Sequence, residues 1–71
     1  MIIEKAWVKY DKRGNYDFTI ESRFVEINDE DKIKKYIEYN KERDIEFYFY
    51  NTQEDVENNN SIKTIICNEL I

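Results

Sequence analysis

Two alternating segments around a single glycine constrain the fold of this chain more than any other feature. Residues 2–10 and 16–24 alternate apolar with polar side chains and flank a five-residue connection, 11–15. Gly14, the only glycine of the sequence, supplies the positive φ that a hairpin turn demands at no steric cost. The sequence therefore begins with a predicted antiparallel β-hairpin.

Side-chain identity also predicts the register of this hairpin, with Tyr10 opposite Tyr16. One face then joins apolar residues across the strands, in the pairs Val8–Phe18, Ala6–Ile20 and Ile2–Phe24. The other face joins opposite charges, in the pairs Lys9–Asp17 and Lys5–Glu21, with Trp7 opposite Thr19. Opposite charges facing each other across strands contribute ~0.2–1 kcal/mol each, so two independent signals favour one register.

An amphipathic helix is predicted next, over residues 29–43. Asn28 or Asp29 can cap its start, and its amphipathic stripe follows helical spacing through Ile33, Tyr36, Ile37 and Asn40. Residues 44–51 then alternate as a strand, with Phe47 and Phe49 on one face and Tyr48 and Tyr50 on the other. A polar connection, with one helical turn over 53–58, leads to a last strand over 62–70.

This β-β-α-β-β order predicts a single α+β domain over residues 1–71, a four-stranded, mainly antiparallel sheet with one helix packed on one face. The sequence does not give the strand order. The helix is expected to cover one apolar row, formed by Val8, Phe18, Ile20, Phe47, Phe49 and Ile66. The face left uncovered is expected to carry Lys5, Trp7, Lys9, Thr19, Tyr48 and Tyr50, joined by Ile65 and Cys67 if the last strand keeps the same register.

Missing residue types exclude several classes of function. Without His, the chain has no His-based triad or general base, and with one Cys a closed zinc site is nearly excluded. A single glycine rules out a glycine-rich phosphate loop. The interpretation is a protein that is not an enzyme and that holds no metal and no cofactor.

The same composition bears on the compartment. Cys67 is the only cysteine, lies in an apolar run and is expected to be a small buried hydrophobe, so no intramolecular disulfide forms. No segment has the ~18 consecutive apolar residues of a membrane span, and no signal peptide is recognisable near the start. A cytoplasmic protein with no membrane partner is the expectation.

Charge and aromatic residues indicate where a partner would bind. The formal net charge is -5, and residues 45–71 hold five acids against one base. A local negative field attracts basic partners and repels nucleic acid. Large amphipathic rings are enriched at interaction hot spots. The predicted partner-binding residues are therefore the late acids with the uncovered rings: Trp7, Glu46, Tyr48, Tyr50, Glu54, Asp55 and Glu57.

In size, charge and lack of catalytic residues the chain resembles small accessory proteins of phages and mobile elements, among them anti-CRISPR and other anti-defence inhibitors, antitoxins and immunity proteins. The resemblance is one of composition and not of motif. It implies a stoichiometric inhibitor that blocks a basic, often nucleic-acid-binding, surface of another protein. The alternatives are a homo-oligomeric structural module, such as a homodimer, and, less favoured by the charge, a direct nucleic-acid binder.

Overall fold

The computed structural model describes residues 1–67 and confirms the α+β fold. Six elements follow one another, β1 Ile2–Tyr10, β2 Tyr16–Glu26, α1 Glu30–Asn40, β3 Ile45–Tyr50, α2 Gln53–Glu57 and β4 Lys63–Ile66. The strands form one antiparallel sheet in the order β2-β1-β3-β4, so β1 and β3 are central. Leu70, where the last strand was predicted to end, lies outside the described residues.

The hairpin turn follows the sequence prediction closely. Gly14 has a φ of 83°, the left-handed conformation that its missing Cβ permits. The carboxylate of Asp11 accepts hydrogen bonds from the backbone N–H groups of Arg13 and Asn15, at 2.8 and 3.0 Å. These bonds close the connection and place Tyr10 opposite Tyr16, as predicted.

Beyond the turn the predicted register is wrong. Asp17 and Ile20 have no partner on β1, and each shifts the pairing of β2 by one residue. Phe24 therefore lies opposite Glu4, and Val25 lies opposite Ile3. Fully burying an apolar side chain is worth about 1.5–3 kcal/mol, more than the ~0.2–1 kcal/mol of an exposed charge pair. The observed register brings Val25 against the core at the expense of the predicted charge pairs.

The prediction of which hairpin face the helix covers is also wrong. Helix α1 packs on the face of β1 that carries Ile3 and Trp7, which pair with Phe49 and Ile45 of β3. Val8 and Ala6 lie on the opposite face, although both are buried, at 2 % and 1 % exposure. A central strand that is apolar on both sides does not reveal by alternation which side a helix covers.

The core lies between α1 and the central strands. Its fully buried members include Ile3, Ile45, Phe47 and Cys67, each at most 1 % exposed. The apolar stripe of α1 packs against them as predicted, through Ile33, Tyr36 and Ile37. The ring of Tyr36 meets that of Phe47 edge-on, with centroids 6.0 Å apart. Phe49 and Phe47 were correctly placed on the helix side, whereas Ile66 pairs with Glu46 on the other.

Helix α1 starts where the sequence predicts and ends earlier. Asp29 caps it by accepting hydrogen bonds from the backbone N–H groups of Asp31 and Lys32, at 2.9 and 3.1 Å. The helix ends at Asn40, three residues before the predicted Arg43. The Asn40 side chain donates to the carbonyl of Tyr36 at 2.7 Å and accepts from the Lys5 ammonium at 2.9 Å. The end of α1 is thereby tied to the sheet.

Candidate protein-binding surface

The sheet face that α1 does not cover, called the open face below, is organised in rows of paired residues. One row runs across all four strands through Phe24, Glu4, Tyr48 and Thr64. The next row toward the hairpin turn contains Ser22, Ala6, Glu46 and Ile66. On the other side of the first row, Glu26 and Tyr50 flank Ile2, and near the turn Tyr16 pairs with Tyr10.

The two sides of the sheet differ in charge. Within the strands that the structure describes, the open face carries three carboxylates, Glu4, Glu26 and Glu46, and no Lys or Arg. The basic residues of these strands all lie on the helix side, at Lys5, Lys9, Arg23 and Lys63, where Glu21 also lies, opposite Trp7. The open face of these strands therefore carries acids without bases and is rich in tyrosine.

A buried carboxylate holds two of the tyrosines in place. Glu46 is only 4 % exposed and accepts hydrogen bonds from the hydroxyls of Tyr48 and, at 3.1 Å, of Tyr10. A buried carboxylate is costly unless donors surround it, and two phenols supply them here. Burial, reinforced by the charge and hydrogen bonding of Glu46, raises the pKa of both Tyr10 and Tyr48. Both hydroxyls therefore remain protonated and donate to Glu46 at neutral pH.

A second carboxylate–phenol pair lies at the other end of the face. The hydroxyl of Tyr50 donates to Glu4 at 2.9 Å, across 46 residues of sequence. Burial first, and the hydrogen bond to Glu4 second, raise the pKa of Tyr50 to about 12. Tyr50 is only 5 % exposed, so its ring packs beneath the open face and is not accessible to a partner.

The rings that are accessible differ from those predicted. Tyr16 is 53 % exposed and Phe24 49 %, while Tyr48 is half-buried between them and β4. The sequence predicts Phe24 on the face of the hairpin away from Trp7, and its pattern gives no sign that Tyr16 and Phe24 are binding residues. Their exposure follows from the position of β2 at the edge of the sheet, which no local pattern revealed.

Trp7 does not belong to this surface, contrary to the prediction. It pairs with Ile45 on the helix side and packs against the core from there. The ammonium of Lys5 lies 4.5 Å from the centroid of its ring and the guanidinium of Arg23 lies 5.7 Å away. Lys5 and Arg23 face each other across the strands, and the Trp7 ring offsets the repulsion of these like charges by cation–π attraction.

The acidic segment after β3 forms α2, as predicted. Thr52 caps this helical turn, accepting a hydrogen bond from the backbone N–H of Asp55 at 3.1 Å. Glu54 and Glu57 are exposed, and Asp55 is half-buried. Helix α2 contacts β3 and begins three residues after Tyr50, so its acids lie next to the Tyr50 end of the sheet.

Comparison of the chain with protein-family models, with curated proteins and with solved structures found no match. In the described part of the chain, neither helix has the length and apolar character needed to cross a membrane. Residues 1–67 also contain no group of three or more Cys, Asp or Glu side chains arranged to hold a metal ion.

Proposed function

We propose that this chain is a protein-binding module that docks its open face on a basic surface of another protein and inhibits that protein by occupancy. The observation that carries the proposal is the one-sided charge of the open face, which has carboxylates but no Lys or Arg in the described strands. A face of one sign favours partners of the opposite sign and accelerates their encounter.

The aromatic rings of the face would supply the binding energy. Tyr16, Phe24 and Tyr48 present flat surfaces to which Arg and Lys side chains of a partner can stack. The hydroxyl of Tyr48 is already bonded to Glu46, so this ring loses little conformational freedom on binding. Pre-ordered rings beside carboxylates suit the recognition of guanidinium and ammonium groups.

The predicted binding residues take different roles in this proposal. Glu46 and Tyr50 are buried and would act by holding the accessible rings in place. Glu54 and Glu57 are exposed on α2 and would lie at the rim, where charges mainly raise the association rate. Asp55 is engaged in closing the α2 turn, where it accepts a hydrogen bond from the Asn60 side chain at 3.4 Å.

The partner class follows from the chemistry of the surface. A basic patch on a protein is commonly a nucleic-acid-binding surface, since phosphate binding requires a positive field. Occupying that patch would compete with nucleic acid, the mode of action implied by the resemblance to anti-CRISPR and other anti-defence inhibitors of phages. Direct binding of nucleic acid by the open face is disfavoured by the same carboxylates, Glu4, Glu26 and Glu46.

Capture from a bacterial lysate with charge-changed variants tests the proposal. Thr64→Lys adds a positive charge to the open face directly beside Tyr48, at an exposed position. Tyr39→Lys adds the same charge on α1, at a side chain that is 85 % exposed. We expect the wild-type chain and Tyr39→Lys to retain the same basic protein, and Thr64→Lys to lose it.

The retained protein is then assayed for binding to a nucleic-acid oligomer with and without the chain. Competition between the two ligands, weakened by Thr64→Lys and unchanged by Tyr39→Lys, is the expected result. Equal capture by Thr64→Lys and Tyr39→Lys would show that the partner does not bind the open face. An association rate that does not change with ionic strength would remove its electrostatic component.

A further inference from the structure

Strand β2 is an exposed apolar edge. It occupies one end of the sheet and runs for 11 residues, against 4 for β4 at the other end of the described sheet. Six large hydrophobic side chains of the described residues are exposed, and four of them lie on β2, at Tyr16, Phe18, Ile20 and Phe24. A long edge strand with exposed apolar residues is a template for pairing with another strand.

These apolar residues point to lateral pairing and not to docking on one face. Phe24 and Tyr16 pair with Glu4 and Tyr10 on the open face, while Phe18 pairs with Lys9 on the helix side. A partner resting on one face of the sheet would leave the other row exposed. A strand added alongside β2 contacts both rows at once and also satisfies the outward backbone groups of the edge.

The charges of β2 are complementary to those of β2 in a second copy of the chain. In an antiparallel pair of two copies centred on Ser22, Glu21 of each copy faces Arg23 of the other, which forms two pairs of opposite charge. A centre on Glu21 would set acid against acid, and a centre on Arg23 would set base against base. The pairs from Glu21 to Arg23 lie within the regular part of β2, beyond both register shifts.

We propose that two copies of this chain pair through β2, antiparallel and centred on Ser22, to form one continuous eight-stranded sheet (twice the four strands of one copy). Within one copy the charged ends of Glu21 and Arg23 lie 3.8 Å apart, and their side chains are still 57 % and 72 % exposed, so both remain accessible to a second chain. The two-fold axis of an antiparallel pair is normal to the sheet, so both open faces lie on the same side of the dimer.

This inference is independent of the proposed function, and cysteine cross-linking tests its register. Opposed Cα atoms in an antiparallel pair are about 4.5–5.5 Å apart, within the range that a disulfide spans. We expect Ser22→Cys to form a disulfide-linked dimer under mild oxidation. Thr64→Cys, at an exposed position on β4, is the matched control and is expected to remain a monomer. Cys67 is fully buried and does not compete.

Charge reversal supplies a second test, read by light scattering over a range of concentrations. Glu21→Arg sets like charges opposite each other twice and is expected to raise the dimer dissociation constant about tenfold. The double variant Glu21→Arg/Arg23→Glu exchanges the charges and is expected to restore the dimer. A wild-type chain that stays monomeric up to about 1 mM overturns the proposal. Cross-linking by Ile20→Cys in place of Ser22→Cys, or equal cross-linking by Thr64→Cys, overturns it as well.

Discussion

The hydroxyl of Tyr10 donates a hydrogen bond of 3.1 Å to the carboxylate of Glu46, a side chain that is 4 % exposed. The two residues are 36 positions apart, one at the end of β1 and the other near the start of β3. Tyr48 donates to the same carboxylate from two residues further along β3. The hairpin and the third strand are therefore joined on the open face by a buried acid whose cost of burial is offset by two donors.

Removing this acid is expected to destabilise the fold. Glu46→Ala leaves the hydroxyls of Tyr10 and Tyr48 without their acceptor and is expected to lower the free energy of unfolding by about 1–3 kcal/mol. Glu46→Gln keeps one acceptor oxygen and is expected to cost less. Chemical denaturation measures both. Glu57→Ala, at an exposed position on α2, is the control and is expected to stay within about 0.5 kcal/mol of wild type. Equal losses for Glu46→Ala and Glu57→Ala would contradict a supporting role for the buried acid.

The tyrosine–carboxylate pairs predict a loss of stability in alkali. The pKa of Tyr50 is about 12 in the folded chain against an ordinary value of 10.0, and the pKa values of Tyr10 and Tyr48 are also raised. The folded state thus binds these protons more tightly than the unfolded state. Their contribution is complete below pH 10 and is lost as the pH rises from 10 toward 12 and beyond.

Denaturation at about pH 9 and at about pH 11 measures this loss, and phenolate absorbance follows the titration directly. Glu4→Gln is the matched variant, because it removes the charge next to Tyr50 and leaves the burial of the ring in place. Its Tyr50 is expected to titrate at lower pH than in wild type. Phenolate absorbance that rises in a single step at the ordinary pKa in the wild-type chain would refute the tyrosine–carboxylate account.

Local signals in the sequence predicted the elements well and the relation between them poorly. The cap at Asp29, the turn at Gly14 and the alternation of Phe47 and Phe49 each depend on neighbours in the chain, and the structure confirms all three. Which face of the hairpin meets the helix depends instead on how β1 pairs with β3. That pairing joins residues far apart in the sequence, such as Ile3 and Phe49, and leaves no periodic trace in either strand.

The same limit explains the errors in the candidate site. The sequence places Trp7 with Tyr48 and Tyr50 because each of them lies on the face of its strand away from the predicted apolar row. The structure pairs Trp7 with Ile45, so the helix covers the face of β1 opposite to the predicted one. Burial of Glu46 was equally hidden, since a glutamate between aromatic residues in a strand ordinarily faces water. One of the two donors that offset its burial is Tyr10, which approaches from a distant strand.

The N-terminal cap of α1 gives a prediction with a close control. Asp29→Ala removes the side chain that accepts from the N–H groups of Asp31 and Lys32, and is expected to cost about 1 kcal/mol of unfolding free energy. Asp29→Asn retains an acceptor and is expected to cost only a few tenths. Asn28, the neighbouring residue that the sequence offered as an alternative cap, instead accepts a hydrogen bond from the N-terminal ammonium at 2.5 Å. Lys35→Ala, at an exposed position in the middle of α1, is the control and is expected to stay within about 0.5 kcal/mol of wild type. Equal losses of unfolding free energy for Asp29→Ala and Lys35→Ala would contradict the assignment of Asp29 as the cap.

The hairpin turn depends on Gly14 for its backbone conformation. Gly14→Ala forces a Cβ into a φ of 83° and is expected to destabilise the fold by about 1–2 kcal/mol. Gly14→Asn is expected to cost less, since Asn tolerates the left-handed region better than other residues. Thermal or denaturant unfolding distinguishes the two. An alanine variant as stable as wild type would mean that the turn relaxes to a different conformation without cost.

The junction between α1 and the sheet can be measured as a coupling energy. Asn40→Ala removes the acceptor of the Lys5 ammonium together with the bond to the Tyr36 carbonyl, and Lys5→Met removes the ammonium but keeps an apolar stem over Trp7. In a double-mutant cycle the two changes are expected to be non-additive by about 1 kcal/mol. Tyr39→Ala, at a neighbouring exposed residue, should show no coupling with Lys5→Met. Additive losses would mean that the apolar stripe of Ile33, Tyr36 and Ile37 alone holds the helix, and that Asn40 ends it without anchoring it.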